Sequence, residues 1–382
     1  MDDLIAVSGV ELGVANANLN GKEGSDLLVI KVAEGSNLAG VFTQNSFRAA
    51  PVQISSDHIR SANSRALIVN TGSANAGTGE VGWSNAMKVC GQLARKLSIS
   101  TNQVLPFSTG VIMEHIKVSS ITEALPLAVA GLKENNWRNA AEAIMTTDTI
   151  SKGYSKKILI NETEVTFTGI AKGSGMIKPN MATMLAFIAT DACIEKDALR
   201  SMLSEIVNTT FNCITVDGET STNDSFILIA TGHSGVSDSR ASKSGYYSAV
   251  YNTLQEVAIE LAKMIVKDGE GSTKLVNVLV KGGRKESECR QVGFSIAESP
   301  LVKTAFFASD PNVGRILAAV GNSGVSDLDV SKITVLLDNL KIFENGSVSS
   351  EYSETKASLI MQKEEFCLIV DLKSGSAVSS LW

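Results

Sequence analysis

The sequence predicts an α/β fold with α+β-like layering rather than a doubly wound parallel sheet. Short apolar runs typical of buried strands, such as 26–32 and 66–70, alternate with amphipathic segments of helical period, such as 246–267. These segments do not keep the regular strand–helix–strand order that builds a parallel sheet. With 382 residues, the chain is long enough for one large domain or two ordinary ones with a sizeable core.

The charge balance favours work on small molecules. The chain carries 34 Lys and Arg against 40 Asp and Glu, a formal net charge of −6 with both signs mixed along the sequence. This is not the basic footprint of a nucleic-acid-binding protein. No apolar run approaches membrane-spanning length, and the N-terminus lacks the basic and apolar regions of a signal peptide. We expect a soluble, cytoplasmic protein whose partners are neither nucleic acid nor membrane.

The cysteines and histidines restrict the chemistry. The five cysteines are scattered, with no Cys-x-x-Cys pair, which suits a reducing compartment and argues against structural zinc. We expect Cys213 to be a buried core residue rather than a nucleophile. A His-dependent triad would have to be assembled from distant loops, because the only histidines are His58, His115 and His233.

The first third of the chain alternates strands with polar loops. The predicted strand 66–70 runs into a small-residue loop at 71–79, which serves either tight packing or ligand contact. An amphipathic helix follows, with one apolar face that we assign to the core (Ala86, Val89, Cys90, Leu93, Ala94 and Leu97). In the turn that follows, Thr109 and Gly110 can present a hydroxyl and a backbone N–H to a common point, which is the equipment of an oxyanion hole.

The middle of the chain feeds into one unusual stretch at 172–190. Clustered hydroxyls at 146–149 are typical of capping or turn residues, and 156–170 alternates as a hairpin about Asn161 and Glu162. The stretch itself begins as a glycine loop and ends as a short apolar strand at 184–188, with Thr183 at the junction. Read without context, it is an ordinary glycine turn before a strand, and it lacks the spacing of a phosphate loop.

Thr183 carries the sharper hypothesis. A threonine hydroxyl is a poor nucleophile until a base lies beside it, and one solution is the residue's own free α-amine. That amine exists only if the chain is cut between Ala182 and Thr183. The stretch therefore raises the hypothesis of a self-cleaving enzyme with an N-terminal threonine.

The remainder contains an acidic turn, a long helix and a domain boundary. Asp217, Glu219 and Asp224 fit no calcium loop, and we favour a turn network over a metal site. The long helix ends near Glu270, which stands between two glycines as a solvated helix-end carboxylate or as a contact for a ligand ammonium. A polar, glycine-started break at 282–288 predicts a main domain at 1–281 and a smaller C-terminal α/β domain at 282–382.

Several motifs together resemble one enzyme family. Lys-Gly-Ser-Gly-Met-Ile at 172–177 and Pro-Asn-Met-Ala-Thr-Met-Leu at 179–185 resemble the signature of the ornithine acetyltransferases, or glutamate N-acetyltransferases, of arginine biosynthesis. The blocks at 146–149, 268–274 and 310–320 match the same family. The sequence departs from the family pattern at a few loop positions (Ser73, Gly77, Met113, His115 and Ser151). The resemblance implies an α-β-β-α sandwich like that of N-terminal nucleophile hydrolases.

The resemblance also implies roles for individual residues. After cleavage between Ala182 and Thr183, Thr183 would be the nucleophile and its α-amine the base. Thr109 and Gly110 would form the oxyanion hole. The enzyme would move an acetyl group from N-acetylornithine to glutamate in a ping-pong cycle, with no metal or organic cofactor. Whether acetyl-CoA also serves as donor stays open at this stage.

Substrate contacts follow from the same resemblance. Thr146 and Thr183 would contact substrate, Lys172 would bind the substrate carboxylate, and Glu270 would anchor the amino group. The two cleaved segments would assemble as an α2β2 heterotetramer. Members of the family continue past the position that matches Trp382, so we expect a C-terminal tail with further substrate contacts to be missing from this sequence.

Two other functions stay open at this stage. An N-terminal-nucleophile amidase or aminopeptidase would use water as the acceptor, and net hydrolysis without acetyl transfer would identify it. An uncleaved paralogue that only binds amino acids would keep an intact chain and show no turnover.

Overall fold

The computed structural model describes residues 4–19, 21, 23–160, 162–178, 184–236 and 244–382. The predicted nucleophile Thr183, its neighbour Ala182 and the cleavage site between them lie outside the described residues. The chain divides into two units, of which the first comprises Met1–Asn212 and Glu219–Asp268. The second comprises Cys213–Gly218 and Gly269–Trp382.

The first unit alternates strands and helices, as the sequence predicts. Its strands are β1 (Val10–Ala15), β2 (Leu27–Val32), β3 (Asn37–Phe42), β4 (Ala66–Ser73), β5 (Val104–Val111), β6 (Lys152–Ile160), β7 (Thr163–Lys172), β8 (Leu185–Thr190) and β9 (Ser225–Ala230). Its helices are α1 (Ala50–Ser61), α2 (Gly79–Leu97), α3 (Val118–Ala130), α4 (Trp137–Ala143), α5 (Lys196–Thr209) and α6 (Ser244–Lys267). A short 3₁₀ helix occurs at Thr101–Gln103, and another at Phe211–Cys213 ends at the first residue of the second unit.

The strands form two sheets. One has the order β1-β2-β4-β5, with a single parallel pair between β4 and β5. The other has the order β3-β9-β8-β7-β6, with a single parallel pair between β8 and β9. The predicted hairpin is therefore present as β6 and β7, and it forms one edge of the second sheet.

The two sheets pack face to face. Alternate residues along the strands of both sheets point inward and form one apolar cluster. In this cluster the ring centroids of Phe107, from the first sheet, and Phe187, from the second, lie 5.1 Å apart in an edge-to-face arrangement. Helices α2 and α3 cover the outer face of the first sheet, and α5 and α6 cover that of the second. The order of layers is α-β-β-α, which confirms the predicted layered α/β class.

Gly169 in β7 shows how closely α6 approaches its sheet. A Cβ at this position would lie 2.8 Å from both the Ile188 and the Leu261 side chains. The amphipathic stripe predicted for α6 is fully buried (Val250, Leu254, Val257, Ala258, Leu261 and Ile265). Because the helix approaches the sheet so closely, this stripe is removed from water, and each Å² of apolar surface that is buried stabilises the fold by about 25 cal/mol.

The second unit contains strands β10 (Leu275–Gly283), β11 (Thr334–Leu337), β12 (Leu340–Glu344), β13 (Ser347–Val348), β14 (Glu365–Asp371) and β15 (Ala377–Leu381). Its helices are α7 (Glu286–Ala297), α8 (Pro300–Phe307), α9 (Val313–Gly321) and α10 (Glu354–Met361). The strands form one sheet of order β13-β12-β11-β14-β10-β15.

The boundary between the units differs from the predicted one at 281–282. Position 281 lies inside β10, which pairs with β14 on one side and β15 on the other, so the whole strand belongs to the second unit. The segment Cys213–Gly218 belongs there too, since Cys213 and Thr215 form backbone hydrogen bonds with Trp382. As predicted, Cys213 is buried, and this burial raises the pKa of its thiol to about 11.

None of the helices in the described part of the chain is both long and apolar enough to cross a membrane.

Candidate active site

Thr109 and Gly110 lie at the end of β5, beside the parallel strand β4. Gly110 has φ of +133° and stands opposite Gly72 in the register. A Cβ on Gly110 would lie 2.3 Å from the Gly72 carbonyl carbon, so the position accepts only glycine. The adjacent Ser108 carbonyl accepts a hydrogen bond of 2.8 Å from the side-chain amide of Asn223. The two residues therefore lie in a strand rather than in the predicted turn, and pairing with β4 together with the Asn223 contact holds this strand end, as preorganised donors require.

Lys172 brings the second sheet to the same place. It is the last residue of β7, and its ammonium donates to the Thr109 hydroxyl oxygen at 3.3 Å. The Lys172 side chain is 11% exposed, and its Nζ lies 3.7 Å from the Asp148 carboxylate, whose side chain is fully buried. The structure thus joins two predicted site residues that are separated by 63 positions in the chain.

Asp148 is the hub of this site. Its carboxylate accepts the backbone N–H of Thr146 at 3.0 Å and that of Gly173 at 2.7 Å. It also accepts the Lys152 ammonium at 2.6 Å. The predicted substrate contact Thr146 therefore belongs to the same network as Lys172, through Asp148, which the sequence shows only as part of the block at 146–149.

Lys152 extends the network to the end of α6. Its side chain is 0% exposed, and its ammonium lies 2.6 Å from both Asp148 and Asp268. Asp268 in turn accepts the backbone N–H and the hydroxyl of Thr149. Its backbone carbonyl accepts the hydroxyl of Ser174 at 2.8 Å. The sequence analysis does not single out Lys152, which precedes the hairpin predicted at 156–170, and its partner Asp268 is 116 positions away.

The charged side chains of this network are buried, and burial affects the pKa values of Asp148 and Lys172. Burial alone would raise the pKa of Asp148, but the nearby charges of Lys172 and Lys152 lower it to about 2. Burial lowers the pKa of Lys172, although Asp148 opposes this shift. Burial raises the pKa of Asp224 well above its ordinary value, and one of its carboxylate oxygens is buried without a hydrogen-bond partner among the described residues.

The chain that follows Thr183 is described from Met184 onward. Met184 is buried, and its carbonyl accepts the backbone N–H of Ser225. Leu185 begins β8 and stands opposite Lys172 in the antiparallel register. The role of Thr183 itself stays a prediction.

Glu270 belongs to the second unit. It is exposed and lies in a turn closed by a hydrogen bond from the Ser272 N–H to the Gly269 carbonyl. Its assignment to a substrate amino group stays a prediction.

Two loops with open interpretations show packing contacts. In the loop that follows β4, the fully buried Asn75 donates to the Gly82 carbonyl at 2.9 Å and accepts the Thr78 hydroxyl. In the acidic turn, the Thr220 carbonyl accepts a hydrogen bond from the side-chain amide of Asn45, and the Ser221 carbonyl accepts one from the hydroxyl of Thr43. Within the described ranges, no three His, Cys, Asp or Glu side chains come together as a metal site would require. These contacts support packing for the first loop and a turn network for the second.

We expect Gly110→Ala to lower the free energy of unfolding by about 3 kcal/mol, because the new methyl group needs a strained backbone and meets the Gly72 main chain. Gly35→Ala is the matched control, since Gly35 also has positive φ but nothing lies within 4 Å of its added Cβ. That control should cost only about 1 kcal/mol. Urea unfolding of both variants measures the difference, and equal losses would contradict the close approach of the two strands.

Comparison with known proteins identifies the family. The sequence matches the ArgJ family over residues 11–382. Among solved structures, the arginine biosynthesis bifunctional protein argJ from Bacillus halodurans is 34% identical, with 51% of this chain and 91% of that chain covered and a TM-score of 0.48. Ornithine acetyltransferase from Mycobacterium tuberculosis, solved with ornithine, is 26% identical over 48% of this chain and 98% of that chain, with a TM-score of 0.42.

A more distant similarity is to the L-aminopeptidase D-Ala-esterase/amidase from Ochrobactrum anthropi, described as a variant of the Ntn hydrolase fold. It is 11% identical over 70% of this chain and 86% of that chain, with a TM-score of 0.38. All three superpositions score below 0.5, so the assignment is based on the sequence match, which spans nearly the whole chain. The chain therefore belongs to the ArgJ family of arginine-biosynthesis acetyltransferases.

Proposed function

We propose that the chain cuts itself between Ala182 and Thr183 and then transfers acetyl groups from N-acetylornithine to glutamate through an ester on Thr183. Membership of the ArgJ family supports the reaction class. The contact of 3.3 Å between Lys172 and Thr109 carries the proposal, because it joins the predicted oxyanion-hole residue to the predicted substrate-binding residue in a buried site.

Cleavage proceeds by attack of the Thr183 hydroxyl on the Ala182 carbonyl. The peptide C–N bond breaks as the ester forms, and the Thr183 nitrogen takes a proton to become an amine. Water then hydrolyses the ester, which leaves a carboxylate on Ala182 and restores the Thr183 hydroxyl. The new α-amine has an unperturbed pKa of about 7.7–8.0, so it can serve as general base near neutral pH.

Acetyl transfer uses the same hydroxyl twice. Thr183 attacks the acetyl carbonyl of N-acetylornithine, the amine carries the hydroxyl proton to the leaving nitrogen, and ornithine departs. The amine of glutamate then attacks the acetyl ester, and Thr183 recovers its proton. The Thr109 hydroxyl and the Gly110 N–H stabilise the oxyanion in both halves, and one such donor contributes about 3 kcal/mol.

The substrates are recognised by charge. Lys172 attracts the substrate carboxylate, Thr146 contacts the substrate, and Glu270 binds the amino group. The cycle needs no metal or organic cofactor, since the threonine carries the acetyl group. The mature enzyme assembles as α2β2. None of the five cysteines, all of which lie in the described ranges, forms a disulfide, which supports a reducing location such as the cytoplasm.

Intact mass under denaturing conditions, with N-terminal sequencing, tests the cleavage. We expect two segments, one of which begins with Thr183, because only cleavage at that bond supplies the catalytic amine. Purified protein is then incubated with N-acetylornithine and glutamate, and with acetyl-CoA and glutamate as the alternative donor pair. N-acetylglutamate formed with ornithine supports the proposal.

Other outcomes of these assays identify the alternatives. Acetate release without acetylglutamate would indicate a hydrolase. A chain that stays whole on incubation and binds amino acids without turnover would indicate the paralogue that does not cleave itself.

A further inference from the structure

We infer that Lys172 is a positioning residue whose ammonium makes the Thr109 hydroxyl a hydrogen-bond donor toward the reacting carbonyl. The inference rests on the proposed function and deepens it, because it gives Lys172 a task in transition-state stabilisation besides attraction of the substrate carboxylate.

The direction of the contact follows from the chemistry of the two groups. An ammonium has three donors and no acceptor, so in the 3.3 Å contact the Thr109 oxygen must accept from Lys172. A hydroxyl has one hydrogen and two lone pairs. With one lone pair engaged, the O–H bond points away from the lysine. Among the described residues, none accepts a hydrogen bond from the Thr109 hydroxyl, so its hydrogen is available to a bound ligand.

The ammonium itself is held in place. The Asp148 carboxylate lies 3.7 Å from Lys172 Nζ through one oxygen, and its other oxygen is paired with Lys152. The Asp148 carboxylate is in turn held by the backbone N–H groups of Thr146 and Gly173. Because Gly173 directly follows Lys172, the same carboxylate binds both the backbone after the lysine and the lysine head group. The Lys172 side chain is therefore fixed at both ends.

A charged donor also strengthens the hydroxyl. A hydrogen bond from a cation polarises the accepting oxygen, and cooperative strengthening of the next bond is about 10–30%. The Thr109 side of this contact is buried, at 8% exposure, so water does not compete for the lone pair. The Thr109 hydroxyl is thus both oriented and made a better donor to an oxyanion.

The two tasks of Lys172 have different kinetic signatures. If Lys172 only attracts the substrate carboxylate, its replacement raises KM, and the effects of the Lys172 and Thr109 substitutions on the free energy of activation add. If Lys172 orients the Thr109 hydroxyl, its replacement lowers kcat, and removal of the hydroxyl then has a smaller effect on kcat. A double-mutant cycle between Lys172 and Thr109 separates them.

The experiment measures kcat and KM for both substrates in wild type, Lys172→Met, Thr109→Val and the double variant. Each rate is normalised to the cleaved fraction found by intact mass, and each melting temperature is recorded. Thr109→Val should lower kcat by about 100-fold or more in wild type. In the Lys172→Met background it should lower kcat by about tenfold or less, since the hydroxyl is no longer aimed.

Lys156→Met is the matched control. Lys156 also lies in the first unit and also forms an ion pair, with Glu256. In this background Thr109→Val should keep its full effect. An equal effect of Thr109→Val in all three backgrounds, or a Lys172→Met variant altered only in KM, would overturn the inference.

Maturation gives a second measurement. If the variants cleave slowly, the same cycle is applied to the rate constants of self-cleavage, with the same criterion. A Lys172→Met chain that stays uncut while Thr109→Val matures would also overturn the inference, because Lys172 would then act without the Thr109 hydroxyl. A wild-type chain without acetyl transfer would overturn the proposed function and the inference with it. Additive effects in an active enzyme would overturn the inference alone.

Discussion

Replacement of Thr183 by alanine is expected to leave one uncut chain and to lower acetyl transfer by at least about ten-thousandfold. The substitution removes the hydroxyl that attacks in both cleavage and transfer. Without cleavage the general base is never formed either, because the amine of residue 183 stays in a peptide bond. A single change therefore removes nucleophile and base together, which accounts for the size of the effect.

Thr183→Ser is the matched control for this prediction. Serine keeps a hydroxyl at the same position and supplies an α-amine after cleavage, so the variant should mature and retain transfer within about tenfold of wild type. Intact mass follows the cleavage, and formation of N-acetylglutamate follows the transfer. A Thr183→Ala protein that is cut at the same bond, or that keeps measurable transfer, would contradict the assignment of Thr183.

Lys152→Met is expected to give a large loss of stability. The Lys152, Asp148 and Asp268 side chains are 0%, 0% and 3% exposed, so the substitution leaves two buried carboxylates without their shared cation. Removal of one partner from a buried ion pair costs about 3–5 kcal/mol, and methionine offers no hydrogen bond in return. Urea unfolding near pH 7 measures the loss.

The loss should also depend on pH. In wild type the pKa of Asp148 is lowered from 3.8 to about 2. The ionised carboxylate therefore stabilises the folded state fully above about pH 4, and this contribution is lost as the pH falls from about 4 to about 2. In Lys152→Met the carboxylates hold protons more readily, and the neutral form costs less when buried. The difference between variant and wild type should therefore shrink below pH 4.

Lys157→Met, on the same strand β6, is the control for this second prediction. Lys157 pairs with Glu164 at the surface, where both side chains are more than 40% exposed. Its replacement should change stability by no more than about 1 kcal/mol. If Lys157→Met and Lys152→Met destabilise equally, the buried network does not contribute as the structure implies.

Most of the layered fold could be predicted because its elements have strong local signals. The stripe of α6 and the alternation of the β6–β7 hairpin are properties of short windows, and both appear close to their predicted bounds. The domain boundary could not be found in this way. The glycines at 282 and 283 resemble a linker, yet the strand that contains them is an inner strand of its sheet, and this pairing involves residues about 90 positions away.

The residues of the site show the same difference between local sequence signals and long-range contacts. Thr109, Gly110, Thr146 and Lys172 were named from motifs, and the described structure connects them through contacts of the first unit. Lys152 has no such signal, since it lies outside the predicted elements and a lysine is usually solvated. Its burial is apparent only when β6 and the end of α6 are brought together. Long-range charge pairing is what the sequence alone could not reveal.

The strand order of the second sheet has a consequence for the proposed maturation. Strands β8 and β9 follow the cleavage site, and they lie between β3 and β7, which precede it. After the cut, two of the three junctions among these four strands join different polypeptides. Unfolding would then release two molecules, and refolding would become second order in protein concentration. Dilute refolding would therefore recover the mature protein poorly, although the precursor folds as a single chain, and the lifetime of the mature protein would depend on its unfolding rate.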